Sequence, residues 1–373
     1  MCNHFQGEGP MTQEKQLVIV GASARAAAFS TLRAGLQPWC VDLFGDVDLR
    51  GRCPVTVIPR QHYPHGLVDV VRDFAPPAPL MYTGGLENHP EIVRRLAECR
   101  PLVGNEPEVL HRVRDPWALS EALPRHTPRC ERDWTQVPRD GTWLAKPRRG
   151  SGGSGIEPWS ETSRPRRGIY FQEIVSGLPV AAIYDASADG SCRLLGVTQQ
   201  LVGQAWLHAR PFAYCGSIGP LALENDVVQA FESIGQRLQA AFRLRGLFGV
   251  DGVLQGNLPL VVEVNPRYTA SVEVLEYAAL SRSGPMASEA CIGKGILFAR
   301  GRLSFPAWGP WDLDEVDVPA GQMPAYADIP VPGTEIEPGQ PVLSFFVRGG
   351  STVECLQRLQ NQAAKLDRLL FGS

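Results

Sequence analysis

The segment Gly249-Val250-Asp251-Gly252, followed shortly by Leu260-Val261-Val262-Glu263-Val264-Asn265-Pro266-Arg267, restricts the fold more than any other part of the chain. It reads as two apolar strands joined by a short turn. Strand alternation puts Glu263 and Asn265 on one face, two residues apart. Pairing of the strands as a hairpin sets Asp251 across from them. A hard cation such as Mg2+ takes this kind of oxygen cluster, commonly one or two carboxylates together with nucleotide phosphates. The plainer alternative is a half-exposed hairpin whose polar face meets water, since Glu and Asn are ordinary residues on such a face.

A second element lies upstream. Leu144-Ala145-Lys146-Pro147 ends a short strand, and Arg148-Arg149-Gly150-Ser151-Gly152-Gly153-Ser154-Gly155 follows. Gly152, Gly153 and Gly155 leave backbone N–H groups free to meet phosphate oxygens, and Lys146 adds positive charge beside them. No Gly-Lys-Ser/Thr closes the loop at a helix start, so this is not a Walker loop. A flexible surface linker has the same composition. Next comes Gly168-Ile169-Tyr170-Phe171-Gln172-Glu173-Ile174-Val175-Ser176-Gly177, an apolar strand turning polar before a glycine break. Such a passage offers main-chain groups to an adenine edge.

Taken in this order and spacing, the three motifs resemble the ATP-grasp fold of carboxylate–amine ligases over roughly residues 110–285. The resemblance implies an α/β protein with an α+β lid, an N-terminal Rossmann-like preceding domain and a small C-terminal β-rich extension. By position, Lys146 contacts ATP phosphates, and Gln172, Glu173 and Ile174 form the hinge that reads adenine largely through main chain. Asp251, Glu263 and Asn265 hold one or two Mg2+ ions, with Mn2+ as a substitute. Arg267 steadies the transferred phosphoryl group and the acyl phosphate, a role suited to phosphoryl transfer, which relies on positioning and charge neutralisation. Two features depart from the family. Val113-Arg114-Asp115-Pro116-Trp117 offers no lysine where members usually have one, leaving Arg114 as the substitute. Leu178-Pro179-Val180 stands where a ribose-binding carboxylate is common.

The whole chain is compatible with this. Its 373 residues are enough for several domains. The expected division is a disordered tail over 1–13, a Rossmann-like unit over 14–115, a lid subdomain over 116–205, a metal-binding subdomain over 206–300 and a β-rich extension over 301–373. A net charge of -3 speaks against a general nucleic-acid binder, and no apolar run is long enough to cross a bilayer. Nine scattered cysteines without a Cys-x-x-Cys pair point to reduced thiols and a cytoplasmic protein. Cys2 and His4 form too small a set to hold a metal, and Met11 is an alternative start.

Leu17-Val18-Ile19-Val20, Gly21-Ala22-Ser23-Ala24-Arg25 and the alanine-rich stretch to Ala34 read as strand, turn and helix, followed by the strand Trp39-Cys40-Val41-Asp42. This is a Rossmann-type beginning, and Asp42 stands where an NAD enzyme has its ribose carboxylate. Ser23 and Ala26, however, replace the second and third fingerprint glycines. Ser23 and Arg25 at the helix N-terminus are candidates for a substrate carboxylate, with Ser as N-cap and Arg as surface charge the alternative. Thr83, Glu87 and Asn88 follow a strand end and are further substrate candidates. So are Arg210 and Tyr214 in a glycine-broken stretch, Ser217 close by, and Ser271 near the metal hairpin.

The reading is therefore an ATP- and Mg-dependent ligase that joins a small carboxylate to an amine through an acyl phosphate, with small-molecule partners, no nucleic acid or membrane, and room for a homodimer. Gly21-Ala22-Ser23-Ala24-Arg25-Ala26, Tyr82-Thr83-Gly84-Gly85-Leu86-Glu87-Asn88 and the tail are similar to ATP-grasp proteins of one-carbon cofactor biosynthesis, such as the methanofuran-type tyramine–glutamate ligases. That resemblance implies glutamate as the carboxylate. A non-catalytic ATP-binding protein of the same fold and an NAD-dependent oxidoreductase are the rival readings.

Overall fold

The strand Gln16–Val20 (β1) is buried along almost its whole length, as a parallel strand covered on both faces must be. The computed structural model that contains it describes residues 16–283, 290–312, 319 and 321–372. The expected tail with Cys2, His4 and Met11 lies outside the described residues. β1 pairs in parallel with β2 (Gln37–Asp42) and β4 (Leu80–Tyr82), and β2 with β3 (Val55–Val57). Val18 and Val20 pack on one side against Leu67, Val71 and Ile92. Leu17 and Ile19 pack on the other against Ala24, Ala27 and Ala28 of the helix Arg25–Arg33. The N-terminal unit is thus a small open α/β sheet whose strand ends point toward the rest of the protein.

A second sheet comprises β5 (Cys130–Glu131), β6 (Asp140–Pro147), β7 (Glu157–Ser160) and β8 (Ile169–Glu173), in the order β5-β8-β6-β7. The third and largest is built from β9 (Leu178–Ala186), β10 (Cys192–Val202), β11 (Tyr214–Gly219), β12 (Gly246–Gln255), β13 (Leu258–Asn265) and β14 (Cys291–Phe298). After the short β15 (Leu303–Ser304), β16 (Tyr326–Ala327) and β17 (Glu335–Ile336), the last strand β18 (Pro341–Gly349) joins it. The order is β13-β12-β9-β10-β11-β14-β18-β16. β9 and β10 pair with β12 and β11 and belong to this sheet, so the lid sheet ends well before residue 205. Of the C-terminal strands, β16 and β18 extend the large sheet, β18 along β14, while β15 and β17 pair with each other in a small sheet of their own.

The helix Asn225–Phe242 covers one face of the large sheet, setting Phe231, Ile234 and Leu238 against Tyr184, Phe248 and Val250. By strand alternation, Leu247, Gly249 and Asp251 look out from the opposite face. There the helix Ser271–Ser283 and the N-terminal unit lie, with Ile183 and Leu275 packed beside Ile19. Among the described residues the cysteines are free thiols, and no helix is long and apolar enough to cross a membrane.

Ion pairs buried from water join the N-terminal unit to the large sheet. Arg267 Nη2 and Nε donate to Glu87 at 2.6 and 2.9 Å, and the Glu87 side chain has no solvent exposure. Burial pushes the Glu87 carboxyl up, but Arg267 and then Arg114 outweigh it and hold it below the usual carboxylate range. A carboxylate held low contributes stability that is present above its unfolded pKa and lost as pH falls through the lower folded value. Glu87→Gln is expected to cost about 3–5 kcal/mol near neutral pH, the usual loss when one partner of a buried pair is removed. Urea denaturation at successive pH values should show the parent losing more stability than the variant on acidification from about pH 5 to about pH 3. Parallel losses would mean that this pair does not link pH to folding.

Candidate functional site

The hairpin expected from sequence is present. β12 and β13 pair antiparallel, with Asp251 opposite Glu263 and Gly249 opposite Asn265. A bulge falls between Asp251 and Gly252, a device that re-aims side chains where ladder pairing is interrupted. Asn265 Nδ2 donates to Asp251 Oδ2 at 2.8 Å, and Gln200 Nε2 to Asp251 Oδ1 at 2.8 Å. Burial first, then the charge of Glu263, pushes Asp251 up to about 6. Asp251 therefore stands opposite a second carboxylate in a place that disfavours its negative charge unless a cation joins them, with the Asn265 amide nitrogen on Asp251 and the amide oxygen accepting from Arg267 Nη2 at 3.3 Å. Among the described residues no group of three or more His, Cys, Asp or Glu is placed to hold a metal ion. The donor set here reaches three only by counting the Asn265 amide, which suits a hard cation that completes its shell with phosphate and water.

Lys146, Arg114 and the glycine loop surround the Glu263 end. Lys146 Nζ donates to Gln172 Oε1 at 2.9 Å and lies 3.5 Å from the Val262 carbonyl. Its burial lowers its pKa, with Glu263 working in the opposite direction. A buried ammonium with mainly neutral partners is a site for an anion. Arg114 Nη1 is 3.0 Å from Glu263 Oε1, yet it is buried and has no aligned hydrogen-bond acceptor. Together Arg114, Lys146, Tyr170, Glu263 and the loop around Gly150–Ser154 enclose a cleft.

The loop is folded over this cleft. Asn88 Nδ2 and Arg114 Nη2 both donate to the Gly150 carbonyl, at 3.2 and 2.9 Å. Gly152, Gly153 and Gly155 all have positive φ. At Gly153 this freedom is required, because a Cβ there would lie 1.9 Å from the Phe212 carbonyl oxygen on the facing β10–β11 turn.

Several sequence expectations change at this level. The N–H groups of Glu173 and Ile174 already donate to the Arg129 and Thr142 carbonyls, both at 2.9 Å, so neither is a free donor for adenine. Gln172 turns its side chain to Lys146. Glu87 is committed to Arg267 and orients it rather than meeting substrate. Arg25 is fully buried and spends four of its five N–H groups on Glu273 and Asp328, so it does not stand open to a substrate carboxylate. Ser23 is exposed and does not cap the helix; Asp42 does so from 18 residues away, accepting the Ala24 N–H at 2.7 Å. Asp42 also takes the N–H groups of Phe44 and Gly45, and with no exposure it cannot serve an NAD ribose. Arg210 is exposed on the turn beside the loop tip. Tyr214, Ser217, Ser271 and Thr198 form one hydroxyl chain, with steps of 2.9, 2.9 and 3.1 Å.

Sequence reasoning missed Gln200, Asn105 and Lys294. Asn105 accepts from the Arg245 N–H and donates to the Pro266 carbonyl, fixing the chain just before Arg267. Lys294 is a lone cation in the apolar run Cys-Ile-Gly-Lys-Gly-Ile-Leu-Phe, and that incongruity was the available signal. Gln200 and Asn105 carried none, since amides are common in loops and on strand faces.

A sequence model of the ATP-grasp domain matches residues 113–271. The large chain of carbamoyl phosphate synthase from Aquifex aeolicus, C-terminal section, is 29% identical over 112 residues. That stretch is 30% of this chain and 20% of the curated relative, so the match spans only about a fifth of its length. Solved structures match nearly end to end at low identity. L-amino acid ligase from Bacillus licheniformis aligns with a TM-score of 0.65 at 16% identity, over 95% of this chain and 98% of that one. N5-carboxyaminoimidazole ribonucleotide synthetase from Thermus thermophilus aligns with a TM-score of 0.60 at 15% identity, over 95% and 98%. The biotin carboxylase domain of 2-oxoglutarate carboxylase from Hydrogenobacter thermophilus, solved with MgADP and bicarbonate, gives 0.66 at 13% identity, over 94% and 89%. The paired hairpin, the glycine loop folded over it and these likenesses lead to one conclusion: the chain has the ATP-grasp fold, and residues 113–271 are its ATP-grasp domain.

Proposed function

We propose that the protein is an ATP-dependent ligase that activates a small carboxylate as an acyl phosphate and passes the acyl group to an amine. The observation that carries this reading is that Asp251, Glu263 and Asn265 meet Arg114, ion-paired to Glu263, and the buried Lys146 beneath one glycine loop. Asp251, which burial pushes up, and Lys146, which burial pushes down, stand beside the Arg114–Glu263 ion pair, an arrangement that a metal–triphosphate complex would satisfy on both sides. The likeness to the L-amino acid ligase and the ribonucleotide synthetase supports the same class.

Asp251, Glu263 and Asn265 would hold Mg2+, one ion or two, and the ion's contribution when bound is to neutralise phosphate charge and polarise the γ-phosphoryl group. Lys146 and Arg114 bind the phosphates as fixed cations. Arg267 faces the reacting end in a single pose, because Glu87 fixes its guanidinium from behind and the Tyr268 carbonyl accepts from Nη1 at 3.0 Å. The glycine loop excludes water, which an acyl phosphate requires. The substrate carboxylate attacks the γ-phosphorus and ADP leaves; the amine then attacks the acyl carbon and phosphate leaves, with one proton released. The hydroxyl chain from Tyr214 to Ser271 supports a substrate-facing wall here. Glutamate as the carboxylate, a role in one-carbon cofactor assembly, a cytoplasmic setting and a homodimer remain parts of this proposal. A non-catalytic ATP-binding role is the alternative that the absent lysine and ribose carboxylate favour.

Mg-ATP, and not NAD, is expected to raise the melting temperature, and a screen of carboxylates with amines should release ADP. Glu263→Gln should lose most turnover because a metal ligand becomes neutral; near-parental kcat would remove the hairpin from the chemistry. Arg267→Ala should cost roughly 3 kcal/mol of transition-state stabilisation, about a hundredfold in kcat/KM, as loss of an oxyanion donor does. Gly153→Ala should hold the loop off the Phe212 carbonyl and raise ATP hydrolysis relative to amide formation. An unchanged ratio of the two would dispose of the loop's sealing role.

A further inference from the structure

In an open α/β sheet the loops at the carboxyl ends of the parallel strands face the ligand crevice. The loop after β3 carries Tyr63 to that end of the N-terminal unit. Its ring packs against the unit's apolar core, and its hydroxyl reaches the Gly84–Gly85 turn that follows β4. A Cβ at Gly85 would lie 2.7 Å from Tyr63 Oη. That oxygen is buried and has no hydrogen-bond partner among the described residues. Burying a hydroxyl in this state is costly unless another group completes it.

Arg267 meets the same turn from the other side of the crevice. A Cβ at Gly84 would touch its guanidinium at 3.5 Å. Four of the five Arg267 N–H groups are spent, on Glu87, the Tyr268 carbonyl and Asn265, and one on Nη1 is left. The charged groups facing Tyr63 are Glu87 and Arg267, and both Glu87 oxygens already accept from Arg267. Burial first, and then Glu87, raise the Tyr63 pKa, so the phenol keeps its proton near neutral pH and stands as a donor.

Two further buried oxygens without a partner belong to the same region, Asn88 Oδ1 just past the glycine turn and Thr269 Oγ1 two residues beyond Arg267. Unsatisfied polar atoms thus gather where the N-terminal strand ends meet the reacting end of the crevice. Two of the groups there, Tyr63 Oη and Arg267 Nη1, are donors flanking a turn that carries no side chain. A carboxylate has two oxygens to offer them, and hydrogen bonds to an ionised acceptor are the stronger kind.

We propose that Tyr63 is a specificity-determining residue of the ligase: its hydroxyl and Arg267 Nη1 seat the carboxylate that is to be phosphorylated, one donor to each oxygen, against the bare Gly84–Gly85 turn. The inference rests on the ligase reading and adds to it the recognition of the acid substrate. A neutral phenol holds the anion while blunting its attack on the γ-phosphorus less than a second cation would.

The test begins with the full chain, Mg-ATP, a panel of α-amino acids and simple mono- and dicarboxylic acids, and hydroxylamine as the amine. Hydroxylamine attacks the acyl carbon and phosphate leaves, so ADP and hydroxamate are read together. For the acid turned over fastest, Tyr63→Phe should lower kcat/KM at least about tenfold, chiefly through KM, as loss of a bond to a charged group does. KM for ATP and the melting-temperature rise with Mg-ATP should match the parent. The unliganded variant should melt at or above the parent, since the lost oxygen bonds to nothing there. A smaller fall in kcat/KM would overturn the seat, as would a fall that disturbs both KM values alike. Should Tyr63→Phe fold poorly, Gly84→Ala decides the matter. Gly84 has no positive φ and its added methyl would stand at ordinary contact distance from Arg267, so the fold is kept while the seat is filled. The acid KM should then rise with the ATP KM unmoved, and an unmoved acid KM overturns the seat. Mg-ATP stabilisation without ADP from any acid in the panel would sink the ligase reading itself. Hydroxamate from the parent with parental kcat/KM in the variant would sink only the role of Tyr63.

Discussion

The Arg267–Glu87 pair is the tie on which the candidate site depends. Glu87 comes from a short helical turn after β4, and Arg267 from the chain leaving β13, 180 residues later. Neither charge could be buried without the other, since each alone would face a desolvation cost of several kcal/mol. Their pairing fixes how the N-terminal strand ends approach the β12–β13 hairpin. Tyr82 and Asn105 reinforce it by donating to the Pro266 carbonyl from the same side. The reacting end of the crevice is therefore shaped by two units that share buried charge rather than by apolar contact alone.

This division of labour accounts for what could and could not be read in the sequence. The hairpin was legible because strand period and side-chain chemistry coincide within fifteen or so residues, and local rules cover that range. The helix Asn225–Phe242 was legible for the same reason, its apolar residues recurring at helical spacing. Arg25 was misread because its partners lie 248 and 303 residues away. A serine–arginine pair at a helix start looks like an anion site until Glu273 and Asp328 fill it from other elements. The role of Asp42 was likewise hidden in the sequence, since its bond to Ala24 N–H depends on β1 and β2 lying side by side.

The hinge illustrates a subtler limit. Gln172 and Glu173 lie on β8 with Ile174 just past its end, but a strand's free hydrogen-bonding groups depend on its neighbours. With β5 on one side and β6 on the other, the two N–H groups are spent. The division into subdomains failed at residue 205 for a related reason. Periodicity identifies strands without saying which sheet they join, and β9 and β10 carry no mark distinguishing them from lid strands.

The contacts at Gly150 bear on how the enclosure works in time. Its carbonyl is shared by Asn88, from the N-terminal unit, and Arg114, at the start of the ATP-grasp domain. One uncharged oxygen serving two donors makes a shallow catch, each bond being worth about 1 kcal/mol net, or about twice that from a charged donor. Bonds of that size exchange readily with water, and the loop draws one of them from each of the two flanking units. The position of the loop over the cleft is thus tied to both units at a single carbonyl.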